Sequence, residues 1–233
     1  MMSPFWQDPL TEPDQERAVA RPLADLIQKD GQLLQIIDTA LTDASRRAGD
    51  HLVCRPGCTQ CCHGAFAIDA LDALRLRSAM QTMREVDPQQ AMRIEDRAHR
   101  YLEEFGAEFP GDARTGMLGR SEEEQAAFEE FANDAACPAL DPETGLCEVY
   151  AARPMTCRVF GPPVEVHGED DAPAYSVCEL CFTEASAEEI AACALDVPQA
   201  DEERLLAQLV EALPANDPLR QGETIVAFCL TRP

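Results

Sequence analysis

Nine cysteines lie between Cys54 and Cys181, in stretches of the chain with little apolar material from which to build a core. Any fold for this sequence has to account for them, because thiols at this density serve in disulfides, in redox motifs or around a metal. They form three groups. The first, Cys54-Arg55-Pro56-Gly57-Cys58-Thr59-Gln60-Cys61-Cys62, is a CxxxCxxCC run followed directly by His63. The second is Cys137, Cys147 and Cys157, spaced ten positions apart, and the third is the CxxC unit Cys178-Glu179-Leu180-Cys181. Cys193 and Cys229 sit instead in apolar, helix-like runs and read as small buried hydrophobes outside any ligand set.

Neither a basic start nor an apolar stretch of signal-peptide type opens the chain, and no apolar run approaches the roughly eighteen residues of a membrane span, so the expected address is cytoplasmic. Reducing conditions there disfavour disulfides and favour metal ligation. Cys58 with Cys61, and Cys178 with Cys181, have the knuckle spacing that brings two thiolates onto one ion, and Pro56-Gly57 supplies a turn that returns Cys54 toward them. Cys62, adjacent to Cys61, either completes the same shell through a bend or serves a second centre. The expected metal ligands are therefore Cys54, Cys58, Cys61, Cys62, Cys137, Cys147, Cys157, Cys178 and Cys181. Four thiolates saturate either a tetrahedral zinc or a 4Fe-4S iron–sulfur cluster, so these nine allow one centre with spare thiols or two centres.

Charge narrows the partners. With 43 acidic against 19 basic side chains the formal net charge is −24, which repels phosphate backbones and anionic lipid, so nucleic acid and membrane are disfavoured. A metal ion or cluster is the expected partner, with helical surface left over for a protein. Phosphate-binding glycine loops, HExxH and GxSxG are absent. Cys54, Cys58 and Cys61 satisfy the CxxxCxxC signature of radical enzymes that use S-adenosylmethionine, but that chemistry usually rides on a strand-rich α/β barrel, and strand signals here are few. A thiol-redox role for Cys178 and Cys181 would need disulfide exchange without metal.

Outside the cysteine-rich middle, the patterning is helical. Leu23, Leu26, Ile27, Leu33, Leu34, Ile37 and Leu41 recur at three- and four-residue spacings, as one long helix or two broken near Gly31. Further helices are expected over residues 68–83, after Asp87-Pro88 as far as Gly106, after the capping box Ser121/Glu124, from Ser186, and over residues 202–213. Residues 110–120 read as a loop and Val164–His167 as a strand edge before a solvent-facing turn. The fold class is mainly α: a single helical domain with a central irregular, cysteine-rich metal-binding region of loops and short elements. Its expected divisions are an N-terminal arm and helix (1–49), the cysteine-rich region (50–182) and a C-terminal helical extension packed on the same domain (183–233).

The combined pattern resembles the CxxCxxCC family of zinc- or iron-chelating domains. It is carried by Cys54, Cys58, Cys61 and Cys62, then Cys137, Pro138 and Leu140, then Cys147 and Tyr150, then Arg153, Pro154, Cys157 and Arg158. The resemblance covers roughly residues 50 to 182, with three rather than two residues between Cys54 and Cys58. It implies bound zinc or iron; some relatives are iron–sulfur proteins, among them an enzyme that methylates lysines of flagellin. The function expected is a metal-binding protein whose zinc or iron–sulfur centre is structural or handles metal, the alternative being a redox or group-transfer enzyme built on that centre.

Beside the thiols, Arg153 and Arg158 flank Cys157 and are positioned to offset thiolate charge or to form structural salt bridges. Tyr150 reads as a packed ring with a bonded hydroxyl. His63 is the best non-thiol ligand candidate, ahead of His51 and His167, while His99 lies in a charged helix.

Overall fold

A computed structural model describes residues 12–167 and 173–231. The N-terminal arm and the turn expected after His167 lie outside the described residues.

The leucine spacing at the start produces one helix, α1 (Glu12–Ala48), which runs through Gly31 without a break. Leu26, Leu33, Ile37, Ala44 and Ala48 form its buried stripe, at the separations that a 3.6-residue period brings to one face. After the cysteine turn and β1 (Ala67–Ile68) comes α2 (Ala70–Val86), started by Asp69, whose carboxylate accepts from the Asp72 N–H at 3.0 Å. Asp87 does the same for α3 (Pro88–Phe105), with Pro88 at the first helical position, where a missing N–H costs nothing.

Residues 110–120 differ from expectation. They contain a two-residue antiparallel ladder, β2 (Gly111–Asp112) on β3 (Met117–Leu118). Gly111 allows it, since a Cβ there would stand 2.2 Å from the Met117 carbonyl oxygen. Short helices follow: α4 (Glu122–Glu129), behind the complete Ser121/Glu124 capping box, and α5 (Met155–Val159), which carries Cys157. Val164–His167 is indeed a strand, β4, paired with β5 (Pro173–Ser176). A second capping box, Ser186/Glu189, opens α6 (Ala187–Ala192), and α7 (Gln199–Ala212) buries Leu205 and Leu209.

The C-terminal segment supplies β6 (Thr224–Ile225), antiparallel to β1, and α8 (Val226–Thr231), whose Val226 to Leu230 are all buried. It threads between α2 and α3 while α7 packs on α1 and α2. The main apolar cluster accordingly joins Leu26 and Ile37 of α1 to Leu76 and Met80 of α2, Ile94 of α3, Leu209 of α7 and Leu230 of α8. An aromatic cluster of Tyr101, Phe109, Phe131 and Phe228 adjoins it. Among the described residues no helix is long and apolar enough to cross a membrane.

A charged group sits inside this helical body. Arg75 bridges Asp30 of α1 at 2.7 Å and Asp72 of its own helix at 2.6 Å, with all three side chains almost fully buried. Removing one member would leave a buried charge unpaired, which is far costlier than the pairing is favourable.

Candidate metal centre

The first cysteine run folds as two tight turns. Cys58 N–H donates to the Arg55 carbonyl at 2.9 Å across Pro56-Gly57, with Gly57 at φ 86°, the sign that the third position of a type II turn requires. Cys62 N–H then donates to the Thr59 carbonyl at 2.8 Å, and residues Gln60–Cys62 make one 3-10 turn. This turn bends the chain between the two adjacent thiols, and each shifts the other's ionisation.

Other segments are laced onto this run through the backbone. Cys137 N–H donates to the Cys62 carbonyl at 2.7 Å, and His63 bridges to Ala136. Leu140 and Cys147 form another bridge, which brings Cys147 back beside Cys137. The Pro154 turn sets Cys157 on α5 toward the same place. Seven cysteines, Cys54, Cys58, Cys61, Cys62, Cys137, Cys147 and Cys157, line a cavity of about 780 Å³. Apart from these, its wall is largely apolar and includes Phe66, Tyr101 and Val149, with Arg153 and Tyr150 beside the thiols.

Cys178 and Cys181 lie elsewhere. Cys181 N–H donates to the Cys178 carbonyl at 2.8 Å, and the Phe182 N–H reaches the His51 carbonyl at 2.9 Å. Both thiols are buried, with Ala48, Phe182 and Cys193, in a small apolar cluster of their own. The Cys54 and Cys181 sulfurs stand 4.0 Å apart. Two thiolates on one tetrahedral zinc, each at about 2.3 Å, are about 3.8 Å apart. None of the nine thiols is in a disulfide. Among the described residues no three His, Cys, Asp or Glu side chains enclose a point that would hold a metal as they stand. The fit is one of donor chemistry: nine reduced thiols, a sulfur pair at shared-ion distance, and backbone turns that leave rotation about Cα–Cβ to close a shell.

Burial pushes the Cys137 and Cys157 thiols up to about 12, and neighbouring thiols add to the rise. Cys54, although exposed, is raised to about 12 by partial desolvation, with Cys181, Cys178 and Cys58 contributing. Cys62 is driven upward by its bond to Cys61, whereas Cys61 falls to about 6 because Cys62 bonds its thiolate and Arg153 and His63 lie nearby. So many thiolates cannot ionise together in a buried site without a cation to offset them.

Arg153 supplies part of that offset. Its guanidinium lies over the Tyr150 ring, 4.0 Å from the centroid, its charge helps lower Cys61 and partly opposes the rise that burial imposes on Cys147, and its Nε is buried without a hydrogen-bond partner. Arg158 instead makes a structural salt bridge to Asp38 of α1 at 2.6 Å and donates to the Ala151 carbonyl at 2.6 Å. Tyr150 corrects the expectation of a packed ring: it is 60% exposed and serves as the platform for Arg153. His63 is exposed, its Nδ1 3.0 Å from the Thr59 carbonyl oxygen, and His51 stacks on Phe182. The His167 side chain lies outside the described residues.

Three anchors were not evident from the sequence. Asp72 accepts the Met155 N–H at 2.9 Å and so fixes the start of α5 from α2. Arg97 of α3 donates to the Pro138 carbonyl at 2.8 Å and pairs with Glu148, which holds the Cys137–Cys147 loop. The only local hint for Asp72 is an acid on the apolar face of its helix.

Comparison with known proteins agrees with this chemistry. Neither curated proteins nor solved structures give a match. The model of the CxxCxxCC family, described as "Putative zinc- or iron-chelating domain", matches residues 53–181, more than half of the chain and all nine clustered cysteines. On that match the chain belongs to the CxxCxxCC family of zinc- or iron-chelating domains.

Proposed function

We propose that this protein holds zinc or an iron–sulfur cluster through clustered cysteine thiolates, and that the cavity faced by Cys61, Cys62, Cys137, Cys147 and Cys157 is its principal centre. The observation that carries the reading is the convergence of these five reduced thiols, from three separate chain segments, around one cavity with the Arg153 cation beside them. When bound, the metal would supply the positive charge that lets the thiols ionise together. The chain's own groups do the rest: the two cysteine turns orient the sulfurs, the apolar wall limits water, and Arg153 offsets residual negative charge.

A catalytic version of the same centre has one observation in its favour. The cavity is far larger than a single ion needs, and Arg153 and Tyr150 border it, so a small anionic substrate could lie against the thiolate-bound metal.

Anaerobic purification followed by metal analysis and an ultraviolet–visible spectrum tests the reading. Stoichiometric zinc in a colourless protein identifies a zinc centre; iron with labile sulfide in a brown protein identifies a cluster. A fully reduced chain that takes up neither metal would overturn the proposal.

A further inference from the structure

We infer that Cys54, Cys58, Cys178 and Cys181 form a second, separate site for a single tetrahedral divalent cation of the zinc class, distinct from the five-thiol centre of the cavity. The inference rests on the reading of the clustered thiols as metal donors, and it assigns which of them act together.

The partition is visible in the packing. Cys178 and Cys181 are buried in the small cluster with Ala48 and Phe182, whereas Cys137 and Cys147 pack against the main helical core. Cys178 and Cys181 are also missing from the cavity wall, whereas Cys54 and Cys58 line it, which puts these two at the border between the two groups. The first group is divided between them. Its Arg55–Cys58 turn directs Cys54 toward Cys181, while its Gln60–Cys62 turn is bonded through the Cys62 carbonyl to Cys137.

Two further contacts hold Cys54 and Cys58 near the CxxC unit. Gln60 donates to Glu179, within the Cys178–Cys181 turn, and the His51 carbonyl accepts from Phe182 just after it. Gly161, at φ 125°, leaves room for the Cys54 sulfur, which would stand 3.0 Å from a Cβ at that position. Electrostatic interactions follow the same division: the thiol partners of Cys54 are Cys181, Cys178 and Cys58, and those of Cys157 are Cys137, Cys61 and Cys147.

The class of ion follows from count and distance. One CxxxC pair and one CxxC pair supply four thiolates, the complement of a closed structural zinc. The 4.0 Å between Cys54 and Cys181 is the spacing of two sulfurs on one ion. On a four-iron cluster each thiolate goes to a different iron, and the sulfurs stand further apart.

The test uses the full-length chain, reduced and metal-free under anaerobic conditions, with zinc alone as the first probe and iron with sulfide as the second. Thiols are mapped by alkylation and mass spectrometry, and bound zinc is counted. Zinc is expected to protect Cys54, Cys58, Cys178 and Cys181 together in the unmutated protein. The double variant Cys137→Ser/Cys157→Ser should keep one zinc and this protection; Cys178→Ser/Cys181→Ser should lose that zinc.

Loss of protection at Cys178 and Cys181 in the Cys137→Ser/Cys157→Ser variant, with its helical circular dichroism intact, would overturn the inference. Alkylation of the unmutated protein under limiting chelator needs no variant. Release of the four thiols in a step apart from the other five supports two sites, and release of all nine in one step overturns them. If neither probe protects the cavity thiols while zinc protects these four, the proposed function of the cavity fails and the second site stands. Protection of the cavity thiols alone gives the reverse.

Discussion

The helical body and the thiol-bearing loops of this protein are held together by different means. In the helical body, Leu76, Met80, Ile94, Leu209 and Leu230 are almost completely withdrawn from water, and each fully buried side chain of this size contributes about 1.5–3 kcal/mol. Residues 50–66, 133–167 and 173–182 have a thinner apolar complement and depend on backbone bonds such as Cys137 to Cys62 and Phe182 to His51. Their anchors to the helices are polar: Asp72 on Met155, Arg97 on Pro138 and Glu148, and Arg158 on Asp38. Apolar burial is sufficient where side chains are large and periodic. Loops of small residues need another source of cohesion, which the proposed thiolate-bound cation would provide.

The sharpest way to break this comparison is to strip the metal. Chelation should cost the loops on the order of 10 kcal/mol of ordering free energy. Hydrogen exchange should then show residues 50–66, 133–167 and 173–182 losing protection while α2, α3 and α7 keep theirs. A single cooperative melting of both regions would show that they are not energetically distinct.

The converse perturbation is Leu76→Ala, which opens a cavity at a position with no exposure. It should lower stability in urea unfolding by about 2–5 kcal/mol and leave metal stoichiometry unchanged. A matching fall in bound metal would mean that the core and the centre cannot be separated.

Arg153→Met keeps most of the side-chain stem and removes the charge beside Cys61 and Cys147. Competition with a chromophoric chelator should show metal affinity at the cavity weakened by about 10- to 100-fold, with helical circular dichroism unaltered. Unchanged affinity would assign Arg153 to packing on Tyr150 alone.

The smallest effect is within the helical body. Burial and the nearby Asp69 and Asp72 raise Glu202 to about 7, and burial raises Asp72 to about 6. A carboxyl whose folded pKa is raised favours the folded state below its unfolded value, and that contribution is lost as pH rises through the folded value. Glu202→Gln should therefore stabilise the protein by roughly 1 kcal/mol near pH 8, discounted for partial exposure, with the gain disappearing below about pH 5. Urea unfolding at the two pH values checks the sign, and a larger gain in acid would refute it.

Much of the helical body was legible because its signals are local. The α1 stripe, the Asp87-Pro88 start of α3 and the two Ser/Glu capping boxes are written in residues three or four positions apart. The β2–β3 ladder was not legible, because two residues per strand leave no alternation to read and the pairing depends on a close approach at Gly111. Nor was the exposure of Tyr150, whose neighbours in space include a guanidinium three positions on rather than a core.

For the candidate centre, the sequence by itself determined the clustered thiols, their spacings and the family, since these depend on residue identity and short separations. It left open how nine thiols are shared. That division is tertiary. Cys54 meets Cys181 across 127 positions, and Cys62 holds Cys137 through a backbone bond, while the intervening helices set which loop reaches which. A thiol's chemistry is intrinsic to its residue, but the partners with which it can share a cation are fixed only by distances that the folded chain creates.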